Sequence, residues 1–78
     1  MIEFTVRLNS VKEVSMFINA ANLLQCDIEL SHGRYIVNGK SMMGILALDL
    51  TKILNVRIYS DDISDELIKN FDIFRVTT

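Results

Sequence analysis

The chain predicts an α+β fold in two open-faced layers: a four-stranded antiparallel sheet covered on one face by three helices, in the order β-α-β-β-α-β-α. Three observations predict it. Apolar residues switch repeatedly between a period of two and a period near 3.6, so strands and helices are interspersed. Each period-two run has one apolar and one polar side, so the sheet needs cover on a single face. The chain has 78 residues, 50% of them apolar and 23% charged. That is globular composition, but a chain of this length hides only about 60–65% of its unfolded surface, enough for one core and not two. Residues 1–78 therefore read as a single domain.

The elements follow in order. Ile2, Phe4, Val6 and Leu8 alternate with Glu3, Thr5, Arg7 and Asn9, a half-buried strand. Val11, Val14, Phe17, Ile18, Ala21 and Leu24 then recur at helical spacing over about fourteen residues. Ser10-Val11-Lys12-Glu13 opens that helix as a capping box, each polar side chain meeting a free backbone N–H. Period two returns at Cys26, Ile28 and Leu30, with Asp27, Glu29 and Ser31 between them. His32-Gly33 reads as the tight turn of a hairpin whose second strand runs from Arg34 to Val37. Asn38-Gly39-Lys40-Ser41 ends that strand, and Ser41 caps a short helix running to about Leu48. Leu54, Val56 and Ile58 alternate with Asn55, Arg57 and Tyr59 as the fourth strand. Asp61, Asp62, Asp65 and Glu66 crowd the start of a last helix, where anions suit the macrodipole, and Ile63, Leu67, Phe71 and Phe74 supply its apolar stripe. The face carrying Glu3, Thr5, Arg7, Asp27, Glu29 and Arg57 is left to water.

Several function classes drop out. A net charge of −2 gives no pull toward nucleic acid or anionic lipid. No apolar run approaches the roughly 18–20 residues of a membrane span, and Met1-Ile2-Glu3-Phe4 is no signal peptide. One cysteine rules out an internal disulfide framework and a thiolate zinc cluster, and suits a reducing cytoplasm. Cys26 reads as an inert core thiol on the inward face of its strand. The acids from Asp61 to Glu66 lack ligand-loop spacing and read as helix capping, so no metal or cofactor is expected. No nucleophile elbow, P-loop, dinucleotide fingerprint or catalytic dyad is present, and the chain does not read as an enzyme.

The segment Asn38-Gly39-Lys40-Ser41-Met42-Met43-Gly44-Ile45-Leu46 resembles HPr, the histidine-containing phosphocarrier family of the bacterial sugar phosphotransferase system. The family pattern Lys-Ser-Ile-Met-Gly-Val is matched by Lys40 to Ile45, with Met42 for Ile and a conservative Ile45 for Val. The resemblance extends back through Cys26 to Leu30 and the helix of Phe17, Ile18 and Ala21. It extends forward through the fourth strand, and covers nearly the whole chain, though the last helix is short for the family. It implies the same layered fold and a role beside phosphotransferase proteins.

The family's phosphoacceptor lies in Gly-Ile-His-Ala-Arg-Pro, where helix N–H groups and the arginine stabilise the phosphoryl dianion. Here the stretch reads Leu8-Asn9-Ser10-Val11-Lys12-Glu13. The resemblance places Ser10 at the histidine, Lys12 at the arginine and Glu13 at the proline, after a loop one residue shorter. Ser10 caps a helix in any case, and a serine ester lacks the transfer potential of phosphohistidine. His32 falls in a turn away from any helix start and reads as solvated. Ser41 matches the position that a dedicated kinase phosphorylates in many Gram-positive members, where phosphate on a helix cap gains about 1 kcal/mol from the dipole.

Apolar excess is the remaining signal. Met16 and Leu23 fall off the first helix's buried stripe. If Ile45 and Leu48 face the sheet, then Met42, Met43 and Leu46 cannot all be buried. This suggests a contact patch at Met16, Met42, Met43 and Leu46, the face that HPr offers its partners by resemblance, with Lys12, Arg7 and Lys40 as a basic rim. The expected function is an HPr-like module that binds a protein partner, a phosphotransferase component or a regulator, without carrying phosphate on histidine. The alternative is an active phosphocarrier with a non-standard acceptor. A monomer or a weak homodimer closed by the methionine patch is expected.

Overall fold

The computed structural model describes residues 1–76. Its elements are β1 (Ile2–Val6), α1 (Val11–Asn22), β2 (Ile28–His32), β3 (Tyr35–Asn38), α2 (Met42–Leu46), β4 (Leu54–Ile58) and α3 (Asp65–Lys69), followed by a 3-10 turn at Asp72–Phe74. The four strands form one sheet in the order β1-β4-β2-β3, every neighbouring pair antiparallel. Because β4 runs against both β1 and β2, those two are mutually parallel and one strand apart, so α1 must cross over the sheet to join them. The same holds for β3 and β4, joined by α2 with β2 between them. Two interleaved split β-α-β units result, and all three helices fall on one face.

Alternation decides which side is covered. Leu54, Val56 and Ile58 of β4, Ile28 and Leu30 of β2 and Val6 of β1 are buried, and they meet Val14, Phe17, Ala20 and Ala21 of α1 and Ile45 of α2. No buried residue among those described is polar or charged. Phe71 joins the layers: its ring centroid lies 5.7 Å from Phe4 on β1 and 5.2 Å from Phe17 on α1. Phe17 meets Phe74 as well, at 5.9 Å.

Several expectations are corrected. Val11 sits outside the buried stripe, 61% exposed in the first turn of the helix; Ala20 takes a place in the core instead. α1 ends at Asn22, and Leu24, though buried, lies past it. Cys26 precedes β2 in a bend and is half-buried against the core, so it is not an inward strand residue. The hairpin turn is Gly33-Arg34, one residue later than expected, with His32 paired to Tyr35. Gly33 has φ +59, the only positive φ among the described residues. Only glycine takes that conformation without strain, so it belongs at the first central position of a two-residue hairpin turn, and this fixes the register. α2 stops at Leu46, and Leu48 is buried beyond it.

The last helix is broken. Asp61 and Asp62 lie before it, and Ser64 caps α3 by accepting the Leu67 N–H at 3.4 Å. The chain then tightens into the 3-10 turn, where residues three apart share one side, and Phe71 and Phe74 both reach the core. Beyond it the backbone runs along the outer edge of β1: Arg7 N–H donates to Phe74 C=O at 2.9 Å and Val76 N–H to Thr5 C=O at 3.0 Å.

Phe71→Ala should cost about 3–5 kcal/mol, because it opens a cavity between both layers, whereas Phe71→Leu should cost about 1–1.5 kcal/mol. Urea unfolding followed by circular dichroism measures both. Equal, small losses would show that Phe71 does not join the layers.

Candidate functional site at the start of the first helix

The loop from Arg7 to Ser10 carries the chain from β1 into α1. Ser10 is extended (φ −158, ψ 164), and its Oγ accepts the Glu13 N–H at 3.2 Å. The Glu13 carboxylate turns back to accept the Asn9 N–H at 3.2 Å. The capping box therefore closes one residue further back than expected, on Asn9 instead of Ser10, because the extended backbone at Ser10 carries the preceding N–H toward the carboxylate. The first helical bond, Val14 N–H to Ser10 C=O, follows at 3.1 Å.

A shallow groove of about 410 Å³ runs beside this start. Asn9, Ser10, Lys12 and Glu13 form one side and Met16 extends it by a turn, while Ile73 and Phe74 of the 3-10 turn form the other. Lys12 is exposed and Glu13 half-buried, so the groove carries one charge of each sign. Ile73 is 71% exposed and escaped the sequence reading. Its signal was present, an apolar residue off the stripe of Phe71 and Phe74. Its place beside α1, however, depends on the tertiary clasp of residues 74–76 on β1.

α2 packs against α1 and β3. Ser41 Oγ accepts the Gly44 N–H at 3.1 Å, capping α2 as read. Gly44 makes a close approach: a Cβ there would sit 3.2 Å from Val37 Cβ, so the neighbour would have to give way by a few tenths of an ångström. Ile45 and Leu48 are buried. Met42 is half-buried against the core, while Met43 is 84% and Leu46 43% exposed. Of the four expected patch residues, Met42 is thus largely withdrawn inward, and Met16 stands on α1 at 39% exposure. Lys40 does not rim the patch freely. Its Nζ donates to Leu24 C=O at 2.8 Å, meeting a carbonyl just past the end of α1.

His32 is half-buried at the end of β2 and is not a solvated turn residue. Register also corrects its setting. Val6 opposes Leu54 and Ser31 opposes Asn55, so His32 and the exit of β1 toward α1 lie at the same end of the sheet with β4 between them. Two strand spacings, roughly 10 Å, separate the backbones, and His32 is not among the residues lining the groove. Its charged neighbour is Asp49, in the loop after α2. The Thr51 hydroxyl, at 2.6 Å, and the Thr51 N–H, at 3.0 Å, hold that carboxyl below its ordinary value, with Lys52 and His32 adding less.

Ser10→Ala should destabilise the fold by about 1 kcal/mol through the freed Glu13 N–H, and Ser10→Asp by little or nothing. Chemical denaturation of the three proteins reads this difference. Identical stability for Ser10→Ala and the parent would show that the cap contributes nothing.

A model of the family described as "PTS HPr component phosphorylation site" matches residues 10–70. Among solved structures, the chain superposes on HPr-C-His from Thermoanaerobacter tengcongensis with a TM-score of 0.75 and 24% identity, covering 94% of this chain and 89% of that one. It superposes on the phosphocarrier protein HPr from Bacillus anthracis str. Ames with a TM-score of 0.68 and 19% identity, covering 96% of each. At these identities the superpositions speak for the fold alone. No curated protein matches the chain. The family match spans most of the chain, all three helix starts included, and the four-stranded sheet with its three helices is the fold of those structures: the chain belongs to the HPr family.

Proposed function

We propose that this HPr-family chain docks a protein partner through the face made by the start of α1, the 3-10 turn and α2, and that it does so without carrying phosphate on histidine. The observation that carries this reading is the Glu13 carboxylate held at the start of α1. Ser10 Oγ takes the Glu13 N–H, and the Glu13 carboxylate takes the Asn9 N–H. A phosphoryl dianion there needs free N–H groups and a net positive surround. In the residue-by-residue comparison with the family pattern, Ser10 takes the place of the histidine, Lys12 that of the arginine and Glu13 that of the proline. Lys12 supplies one cation, but Glu13 sets a carboxylate where the dianion would lie. The single histidine of the chain, His32, lines no part of the groove.

Exposed apolar surface supports docking. Met16, Met43 and Leu46 with Lys12, and Met42 at the margin, form the proposed contact set, and Ile73 joins it from the opposite wall. Flexible thioethers suit a face that must fit a partner's contours. The partner is proposed to be a phosphotransferase component or a regulator, met in the cytoplasm. Ser41 is a proposed phosphorylation site of the same face, where phosphate would displace the serine cap and shift the charge beside Met43.

The test is incubation with phosphoenolpyruvate and the general phosphotransferase component. The protein should gain no acid-labile phosphate. Stoichiometric labelling would overturn the reading, and Ser10→Ala and His32→Ala variants would then identify the acceptor.

A further inference from the structure

The sheet has two edges, and they are treated differently. Residues 74–76 bond along β1. β3 forms the other edge with nothing beside it among the described residues. Its four residues, Tyr35-Ile36-Val37-Asn38, contain no charge, proline or bulge, the devices by which edges usually avoid pairing. Tyr35 is 72% and Ile36 59% exposed.

Hydrogen-bond alternation shows which groups are free. Gly39 N–H donates to Ile28 C=O at 2.8 Å, which puts Val37 and Tyr35 in the bonded positions opposite Leu30 and His32. The N–H and C=O of Ile36, and the N–H of Asn38, therefore point to the open edge. On the solvent face alongside lies a groove of about 430 Å³, lined by Asp27, Glu29, Ile36, Asn38 and Tyr59 among others. It carries two carboxylates and no cation. Tyr59 Oη donates to Glu29, which holds the phenol above its ordinary pKa. Arg57 opposes Glu29 in register; its Nε lies 3.9 Å from Glu3 and its guanidinium also approaches the Tyr59 hydroxyl, so one cation stands at the margin of the groove. Arg34, at the hairpin tip, is exposed and in no ion pair among the described residues.

We propose that β3 pairs with β3 of a second copy of this chain, antiparallel about a two-fold axis at Ile36, so that Arg34 of each copy enters the acidic groove of the other. The register follows from the free groups. Ile36 exchanges both backbone bonds with its counterpart, Tyr35 faces the other Val37, and Arg34 faces the other Asn38. Glu29 opposes Asn38 within each copy, so the outer face presents the row Glu29, Asn38, Arg34 of the second copy. No like charges meet, and a surface matched to itself in this way is what a closed dimer requires. The paired edges are short and fall below the roughly 800 Å² per partner of a standard stable interface, so association belongs near 0.1–1 mM, about −4 to −5.5 kcal/mol.

Sedimentation equilibrium between about 10 µM and 1 mM tests it at modest salt, where rim charges still act. The parent should dimerise. Arg34→Glu and Glu29→Arg should each weaken dimerisation roughly tenfold, since the two-fold doubles every cross-strand effect. An equimolar mixture of the two variants should recover it, because both grooves of the mixed pair then hold opposite charges. Ile36→Lys should abolish association while the far-ultraviolet circular dichroism stays unchanged. No self-association by the parent at 1 mM would overturn the proposal. So would association that Arg34→Glu and Ile36→Lys leave untouched, which would place the contact on another face.

Discussion

Phe17 holds a position on which the rest of the molecule depends. It sits between Phe71 and Phe74, with ring centroids at 5.2 and 5.9 Å, and all three rings are essentially buried. Edge-on aromatic contacts of this kind add to plain area burial. Their larger consequence is geometric. With α3 only five residues long, a stable helix cannot come from its own backbone bonds. The tail is held because Phe71 and Phe74 reach α1 and because Arg7 N–H and Thr5 C=O give its backbone an edge to bond. The Arg75 guanidinium closes the arrangement 4.9 Å over the ring of Phe4. Ile73 is thereby set on the outside of the turn, facing Lys12 and Met16 across the groove.

The layered fold was legible because its signal is periodic. β4 alternates buried and exposed without exception, and one core face per strand leaves little freedom in how the layers stack. The boundaries were less legible where two local rules compete. At the hairpin, His32-Gly33 and Gly33-Arg34 both make acceptable turns, and pairing with β2 selects the second. At the last helix, Ile63, Leu67, Phe71 and Phe74 fit one helical stripe well, yet the chain breaks into α3 and a 3-10 turn, because the tail must both fill the core and reach the edge of β1. The caps of α1 and α2 were legible from serine alone, being local bonds over three residues, whereas the crowd of acids around the last helix hid its cap at Ser64. The groove was not, since Met16 and Ile73 lie 57 positions apart and meet only through the tail's clasp. The bond from Lys40 to Leu24 was hidden for the same reason.

The start of α1 shows how one side chain can decide which charge a helix terminus receives. Free N–H groups at that end either receive an outside anion or are met by the chain's own side chains. Here Ser10 meets the Glu13 N–H, and the Glu13 carboxylate meets the Asn9 N–H just before the helix, each at 3.2 Å, so a negative charge already stands at that terminus. Displacing the Glu13 carboxylate would leave Asn9 N–H unmet, and leaving it in place would oppose any second negative charge. In the proposed reading this exclusion, more than the identity of a single residue, separates the groove from a phosphoryl site. What remains on its walls is apolar surface with one flanking cation, and that is the chemistry of contact between proteins.

The two ends of the strand order then have separate consequences. The β1 edge is closed by the tail that also builds the α1 groove, so burying that edge and shaping that face are one event. The β3 edge lies at the far side of the sheet, two strands beyond β4, and is left charge-free and open. A pair joined there would hold its two α1 grooves outward, at opposite ends of one continuous eight-stranded sheet. Neither groove would be covered by pairing, and a partner with two matching surfaces would meet both at once, so that weak docking at each groove would be reinforced by the other without any new contact.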